Sequence, residues 1–212
     1  ELVSVLHGLI ASGRLPDVPP LVDSPMARNA TAVFVRHPEC FDDETRDLFT
    51  THEGEPFGFR RLRYIQTPEE SRALNDRTEP CIILSASGMC EGGRVLHHLQ
   101  HSLGDPKDTV LFVGFQGEGT LGRRLREGAR TVNVYGEACA VRAEIAALDG
   151  FSAHADQHEL LRWVGAFPAP PRRVFLVHGE IAPAETLAVR LRAETGAEVT
   201  IPAKGQEVPL WI

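Results

Sequence analysis

"CIILSASG" (Cys81–Gly88), "GGRVLHHLQHSL" (Gly92–Leu103) and "TVLFVGF" (Thr109–Phe115) follow one another with little between them. The first is an apolar, β-branched run that ends in small residues, the signature of a buried strand entering a turn. The second sets Val95, Leu96, Leu99 and Leu103 on one helical face. The third reads as a second buried strand. Strand, helix and strand in this order predict an α/β layer built on a parallel sheet.

The same pattern extends outward. Residues 2–12 carry apolar residues at helical spacing and stop at Gly13 and Pro16. "PPLVDSPMA" reads as a short strand and turn, and "ARNATAVFV" as a helix ending before Pro38. Thr67 stands three residues before Glu70, which predicts a capped helix start. Residues 42–62 are charged and have no clear period. From Arg130 the texture changes. "RTVNVYGEACAVRAEIAALDGF" alternates like strands, "QHELLRWVGAF" reads as a helix and "RRVFLVHG" as a strand. "PAETLAVRLRAETG" has Pro183 near its start and Gly196 past its end, as helices prefer. The remainder is strand-like. A boundary near 130 therefore divides residues 1–130 from 131–212.

Composition bounds the function. The 212 residues are 42% hydrophobic and 24% charged, ordinary globular values. No apolar run reaches the ~20 residues of a membrane span. Cys40, Cys81, Cys90 and Cys139 include no C-x-x-C pair, which fits free thiols in a reducing cytosol. A net charge of −7 excludes a broadly basic nucleic-acid binder. Arginine nonetheless supplies 20 of the 22 cations, Lys107 and Lys204 being the others. Clusters at Arg60, Arg61 and Arg63, and at Arg123, Arg124, Arg126 and Arg130, suit a phosphate backbone, although coding bias also produces arginine. The chain opens at Glu1 inside a helical pattern, which predicts a piece of something longer.

Several constellations bear on chemistry. Gly117, Gly119 and Gly122 form G-x-G-x-x-G after a strand, with Glu137 about twenty residues on. Too few residues follow Gly122 for the crossover helix of a dinucleotide fold, so a glycine-rich turn opening a short helix is the expectation. His97 and His101 share a helix face and could chelate a metal, yet that face reads as solvated or as an interface. "GFSAH" and the pair Ser85 and Ser87 lack the nucleophile-elbow pattern.

"LDGFSAHADQHELL" (Leu148–Leu161) is more informative. Asp156 with Glu159 forms a capping box, so Asp156 is assigned to the helix start. His154 lies just ahead of that start, where backbone N–H groups favour an anion, and Ser152, Ala153 and Ala155 leave the approach open. His158 falls on the polar face. "RRVFLVHGE" delivers His178 and Glu180 to the exit of the strand Val174–Val177, the end of an α/β strand where ligands bind. Both His154 and His178 are candidates for acid–base or metal chemistry.

Taken together, "SASGMCEGGRVLHHL", "DGFSAHAD" and "VFLVHGE" resemble the β-CASP group of metallo-β-lactamase-fold nucleases. That group includes the mRNA 3′-end-processing endonuclease subunit and RNA-degrading relatives of bacteria and archaea. The "DSPMA" turn and the order of the segments fit, and the resemblance covers nearly the whole chain. It implies a parallel-sheet β-CASP layer over 1–130. The C-terminal part of a metallo-β-lactamase αββα sandwich follows over 131–212. It implies a cytoplasmic, zinc-dependent RNA hydrolase, an endonuclease with the option of 5′-exonuclease activity, and it leaves a homodimer open. His178 is then a zinc ligand, corresponding to motif C. His154, in motif B, is the catalytic residue beside the scissile phosphate. Ser152 contacts a phosphate, and Ser85, Ser87 and Gly88 line the RNA path.

The family's two zinc ions also need an H-x-H-x-D-H motif, which is absent here. One histidine cannot hold two metals, since a catalytic zinc takes about three protein ligands. The expectation is that this chain alone binds no catalytic zinc and cuts no RNA. A non-catalytic homologue that binds RNA or a partner is the alternative.

Overall fold

The structure is a computed structural model that describes residues 2–51, 61–152 and 154–209. The chain forms two compact units, residues 1–152 and 153–212. Arg60 of the predicted arginine cluster and Ala153 of the predicted approach lie outside the described residues.

In the first unit, α1 (Leu2–Ala11) ends where Gly13 adopts φ +72. Strand β1 (Pro20–Asp23) is buried along its whole length. Ser24 then caps α2 (Pro25–Val35), its Oγ accepting from Ala27 N at 3.2 Å. A short 3-10 turn precedes α3 (Asp43–Thr51), which resolves part of the stretch without a clear period. Next come β2 (Arg63–Tyr64), α4 (Pro68–Ala73) and β3 (Ile82–Ser85). Thr67 and Glu70 form both arms of the expected capping box. The order β2–β1–β3 is parallel throughout, with Leu21 opposite both Arg63 and Ile83. β3 is half-buried rather than buried, because among the described residues it pairs with β1 alone.

Helix α5 (Val95–Ser102) runs to β4 (Thr109–Phe112) and the short α6 (Leu121–Arg126). The hairpin β5 (Thr131–Val134) and β6 (Glu137–Ala140) follows, and then β7 (Glu144–Ala147). Tyr135 and Gly136 both take positive φ, as a two-residue hairpin turn requires. β7 returns to pair in parallel with β4, Thr109 opposite Glu144. β4 buries only Phe112 fully and leaves Leu111 exposed, because its faces alternate. The core gathers Leu99, Leu103, Phe112, Leu121, Leu125, Val132 and Val134. Fully buried leucines such as Leu103 and Leu125 contribute about 1.5–3 kcal/mol each.

The second unit is a βαβ layer. Helix α7 (Gln157–Gly165) precedes β8 (Arg173–Phe175), α8 (Ile181–Thr195) and β9 (Glu198–Thr200). β8 and β9 are parallel, and Leu161, Val164, Ala188, Leu191, Ala197 and Val199 form the core between sheet and helices. Gly196 ends α8 at φ +70. Regular strand stops at Phe175; Leu176 N still donates to Thr200 O at 2.9 Å, and Val177 is exposed. Among the described residues, no helix is long and apolar enough to cross a membrane.

Candidate functional site

The C-terminal end of the parallel sheet holds a polar cluster that sequence reasoning did not single out. Asp23 ends β1 with no exposed surface. Its Oδ2 accepts from Ser71 Oγ at 2.5 Å and meets His98 Nε2 at 2.7 Å; its Oδ1 accepts from Arg94 Nη1 at 2.5 Å. His98 Nδ1 in turn meets Asn75 Oδ1 at 2.8 Å. Burial alone would raise the Asp23 pKa. The three hydrogen bonds and the Arg94 charge outweigh burial and hold it below the usual carboxylate range. The signal was there: a carboxylate ends an otherwise apolar strand, and His98 adjoins Leu99 on the buried side of α5.

Ser85 ends β3 beside this cluster, Ser87 and Gly88 follow in the loop to α5, and each has a structural task. Ser85 Oγ donates to Asp23 O at 3.1 Å. Ser87 Oγ accepts from Glu91 N at 3.2 Å. Gly88 O accepts from Gln116 Nε2 at 2.9 Å, and that same amide donates to Gly114 O and Phe115 O. The loop is also latched to the start of α6. Met89 O accepts from Gly122 N at 3.1 Å, and Glu91 Oε1 accepts from Leu121 N at 2.7 Å.

The latch accounts for the glycine pattern. A Cβ on Gly122 would lie 1.8 Å from Gln116 Oε1, and Gly119 has φ +82. The strand after α6 pairs antiparallel with β6 and not with β4, so no dinucleotide-type crossover forms. His97 and His101 are exposed, as expected. His97 Nε2 lies 3.2 Å from Tyr135 Oη, and His101 Nδ1 donates to His97 O at 2.8 Å.

In the second unit Asp156 is the N-cap of α7, as its spacing predicted. Its Oδ1 accepts from Glu159 N at 2.8 Å, and its own N donates to Glu159 Oε2 at 3.1 Å. His154 is exposed two residues earlier, and His158 is exposed on the helix. His178 repeats the arrangement: it is exposed two residues before Glu180, the N-cap of α8. Both histidines thus stand as His-x-acid ahead of a helix start. His178 also has φ +65, a left-handed conformation rare outside glycine. Ser152 is exposed at the end of the first unit. Among the described residues, no group of three or more His, Cys, Asp or Glu is placed to hold a metal ion. His178 is a single imidazole and does not by itself make a zinc site.

This architecture coincides with two family models. The Beta-Casp domain matches residues 1–125, and the domain described as a Zn-dependent metallo-hydrolase RNA specificity domain matches residues 139–202. The chain belongs to the Beta-Casp family. It is 39% identical over 207 residues to Ribonuclease TTHA0252 of Thermus thermophilus, covering 97% of this chain and 47% of that protein. It is 32% identical over 206 residues to Transcription termination factor FttA of Methanosarcina mazei, covering 93% and 32%. An RNase J-like protein of Methanocaldococcus jannaschii is 32% identical over 210 residues, covering 99% and 47%. The chain therefore spans half or less of the length of these relatives.

Proposed function

We propose that this chain is part of a zinc-dependent ribonuclease that hydrolyses RNA phosphodiester bonds. In this reading it acts as an endonuclease in the cytoplasm, with 5′-exonuclease activity and a homodimeric assembly as further options. The β-CASP layer gives way near residue 130 to the returning part of a metallo-β-lactamase sandwich. The interval between the two family matches supports that seam.

The observation that carries the reading is the match of the domain described as a Zn-dependent metallo-hydrolase RNA specificity domain to residues 139–202, the stretch that holds Ser152, His154 and His178. Within it His178 is, with Cys90 and Tyr135 elsewhere, one of the described non-glycine residues at positive φ. A non-glycine residue in the left-handed region costs about 1–2 kcal/mol. Such strain concentrates at functional positions. His178 is the proposed zinc ligand, the rest of the ligand set coming from outside this chain. Zinc supplies a hydroxide near neutral pH and a counter-charge for the phosphate. His154 is the proposed catalytic residue at the phosphate and Ser152 a phosphate contact. Ser85, Ser87 and Gly88 border the RNA path.

The test uses the full-length protein, with zinc measured by mass spectrometry and cleavage by gel. His178→Ala lowers zinc content and abolishes cleavage. His154→Ala abolishes cleavage and leaves zinc in place. Equal zinc loss in both variants would overturn the division of roles. A second reading is a non-catalytic homologue that binds RNA or a partner. Zinc-dependent cleavage by the full-length protein excludes it.

A further inference from the structure

The parallel sheet of the first unit has a second end. Where its strands begin, Arg61, Arg63 and Arg77 line a hollow of about 300 Å³ with Pro19 and Leu21. Arg63 lies opposite Leu21 in the strand register, and Arg77 belongs to the turn that leads into β3. This is the opposite end of the strands from Asp23 and Ser85.

Three guanidinium groups around one hollow repel one another unless an anion sits among them. The ion pairs present do not fill that role. Arg61 Nη1 pairs with Asp17 at 3.0 Å and Arg77 Nη2 with Glu79 at 3.0 Å, but those carboxylates are 70% and 82% exposed. Exposed pairs of this kind exchange readily with solvent or ligand. Arg63 forms no ion pair within 4 Å among the described residues, and its charge reaches Glu70 only as a minor influence that helps lower that carboxylate's pKa. Arg77 Nε is buried and finds no oxygen or nitrogen acceptor among the described residues, and the Arg77 side chain meets the Cys81 thiol. The neighbouring Cys81 adds no negative charge, because burial raises its thiol pKa more than the Arg77 charge lowers it.

We propose that this hollow binds a phosphate and that it takes a backbone phosphodiester of RNA, away from the cleavage centre. The choice of RNA rests on the ribonuclease reading; the phosphate chemistry does not. The guanidinium fork matches phosphate oxygens. In a chain of net charge −7, RNA needs such local cationic points.

The purified chain is titrated against a fluorescein-labelled oligouridylate at two salt concentrations, read by anisotropy. In parallel it is titrated against pyrophosphate, read by phosphorus NMR. Arg63→Gln weakens RNA binding roughly tenfold. It also reduces the magnitude of the salt slope by about 0.7, the value of one single-strand phosphate contact. Arg63→Lys retains more binding than Arg63→Gln, and Arg142→Gln, exposed and outside both the hollow and the arginine clusters, binds as the unaltered chain does. Circular dichroism checks that each variant is folded. If RNA binds and Arg63→Gln binds equally well, the hollow is overturned while the ribonuclease reading stands. If only pyrophosphate binds, and Arg63→Gln loses it, the phosphate hollow stands and RNA as its source falls. Binding of neither ligand overturns the inference.

Discussion

Asp23 Oδ2 and His98 Nε2 lie 2.7 Å apart although 75 residues separate them in sequence. The pair joins the end of β1 to α5 inside the first unit, and Arg94 and Ser71 complete its shell. Removing one partner of a buried ionic cluster leaves the other uncompensated, at about 3–5 kcal/mol. Arg94→Met is expected to lose about that much in urea unfolding, and His98→Ala to be comparably damaging. A loss below about 1 kcal/mol for both would show that Asp23 is satisfied by other means.

The same carboxylate makes stability depend on pH. Its folded pKa is lowered from 3.8, so between the two values the unfolded chain binds more protons. The stabilisation is therefore fully present above pH 3.8 and is lost as pH falls through the lowered folded value. Urea midpoints measured below about pH 4 should fall with acidity, and Asp23→Asn should flatten that slope. An unchanged slope in Asp23→Asn assigns the acid sensitivity elsewhere.

A side chain at Gly122 is expected to destabilise the latch. Its Cβ would strike Gln116 Oε1 at 1.8 Å and approach Met89 O at 3.1 Å. Overpacking of this kind costs about 1–3 kcal/mol. Gln116→Ala in the Gly122→Ala background should recover part of the loss, because the two residues share one contact and are not additive. Strictly additive losses in thermal unfolding would disprove the latch.

His178 offers a separation of folding from function. Glycine adopts φ +65 freely, whereas alanine does not. His178→Gly should exceed His178→Ala in stability by about 1 kcal/mol. Both should lose zinc equally in the full-length protein. Greater stability of the alanine variant would mean that the backbone at 178 relaxes out of the left-handed region.

Asp156→Ala should lower the stability of the second unit by about 1 kcal/mol, the usual worth of an N-cap. Zinc content should stay unchanged, since its oxygen is engaged by Glu159 N at 2.8 Å. Zinc loss in this variant would place Asp156 at the metal site.

The features legible in the sequence are those set by neighbouring residues. Thr67 with Glu70, Asp156 with Glu159, and Gly196 all act within one helical turn, so spacing alone located them. The parallel character of the layer followed from the order of runs. His98 was overlooked beside His97 and His101, because its partner Asp23 is distant in sequence and only the folded sheet brings them together. The burial of β3 and β4 was overstated because apolar content does not reveal how many neighbours a strand has. Likewise, the glycines at 117–122 matched a cofactor pattern, while the reason for Gly122 lies in the Gln116 side chain.

The pairing of β4 with β7 sets a limit on modular exchange. β7 lies within the stretch matched by the second family model, yet it completes a sheet in the unit that ends at Ser152. A chimera joined between residues 125 and 139 would therefore inherit β4 from one parent and its only described sheet partner from the other. Such recombinants survive only where both parents agree on the Val110–Ile145 register, which makes that short ladder a compatibility test between the two segments.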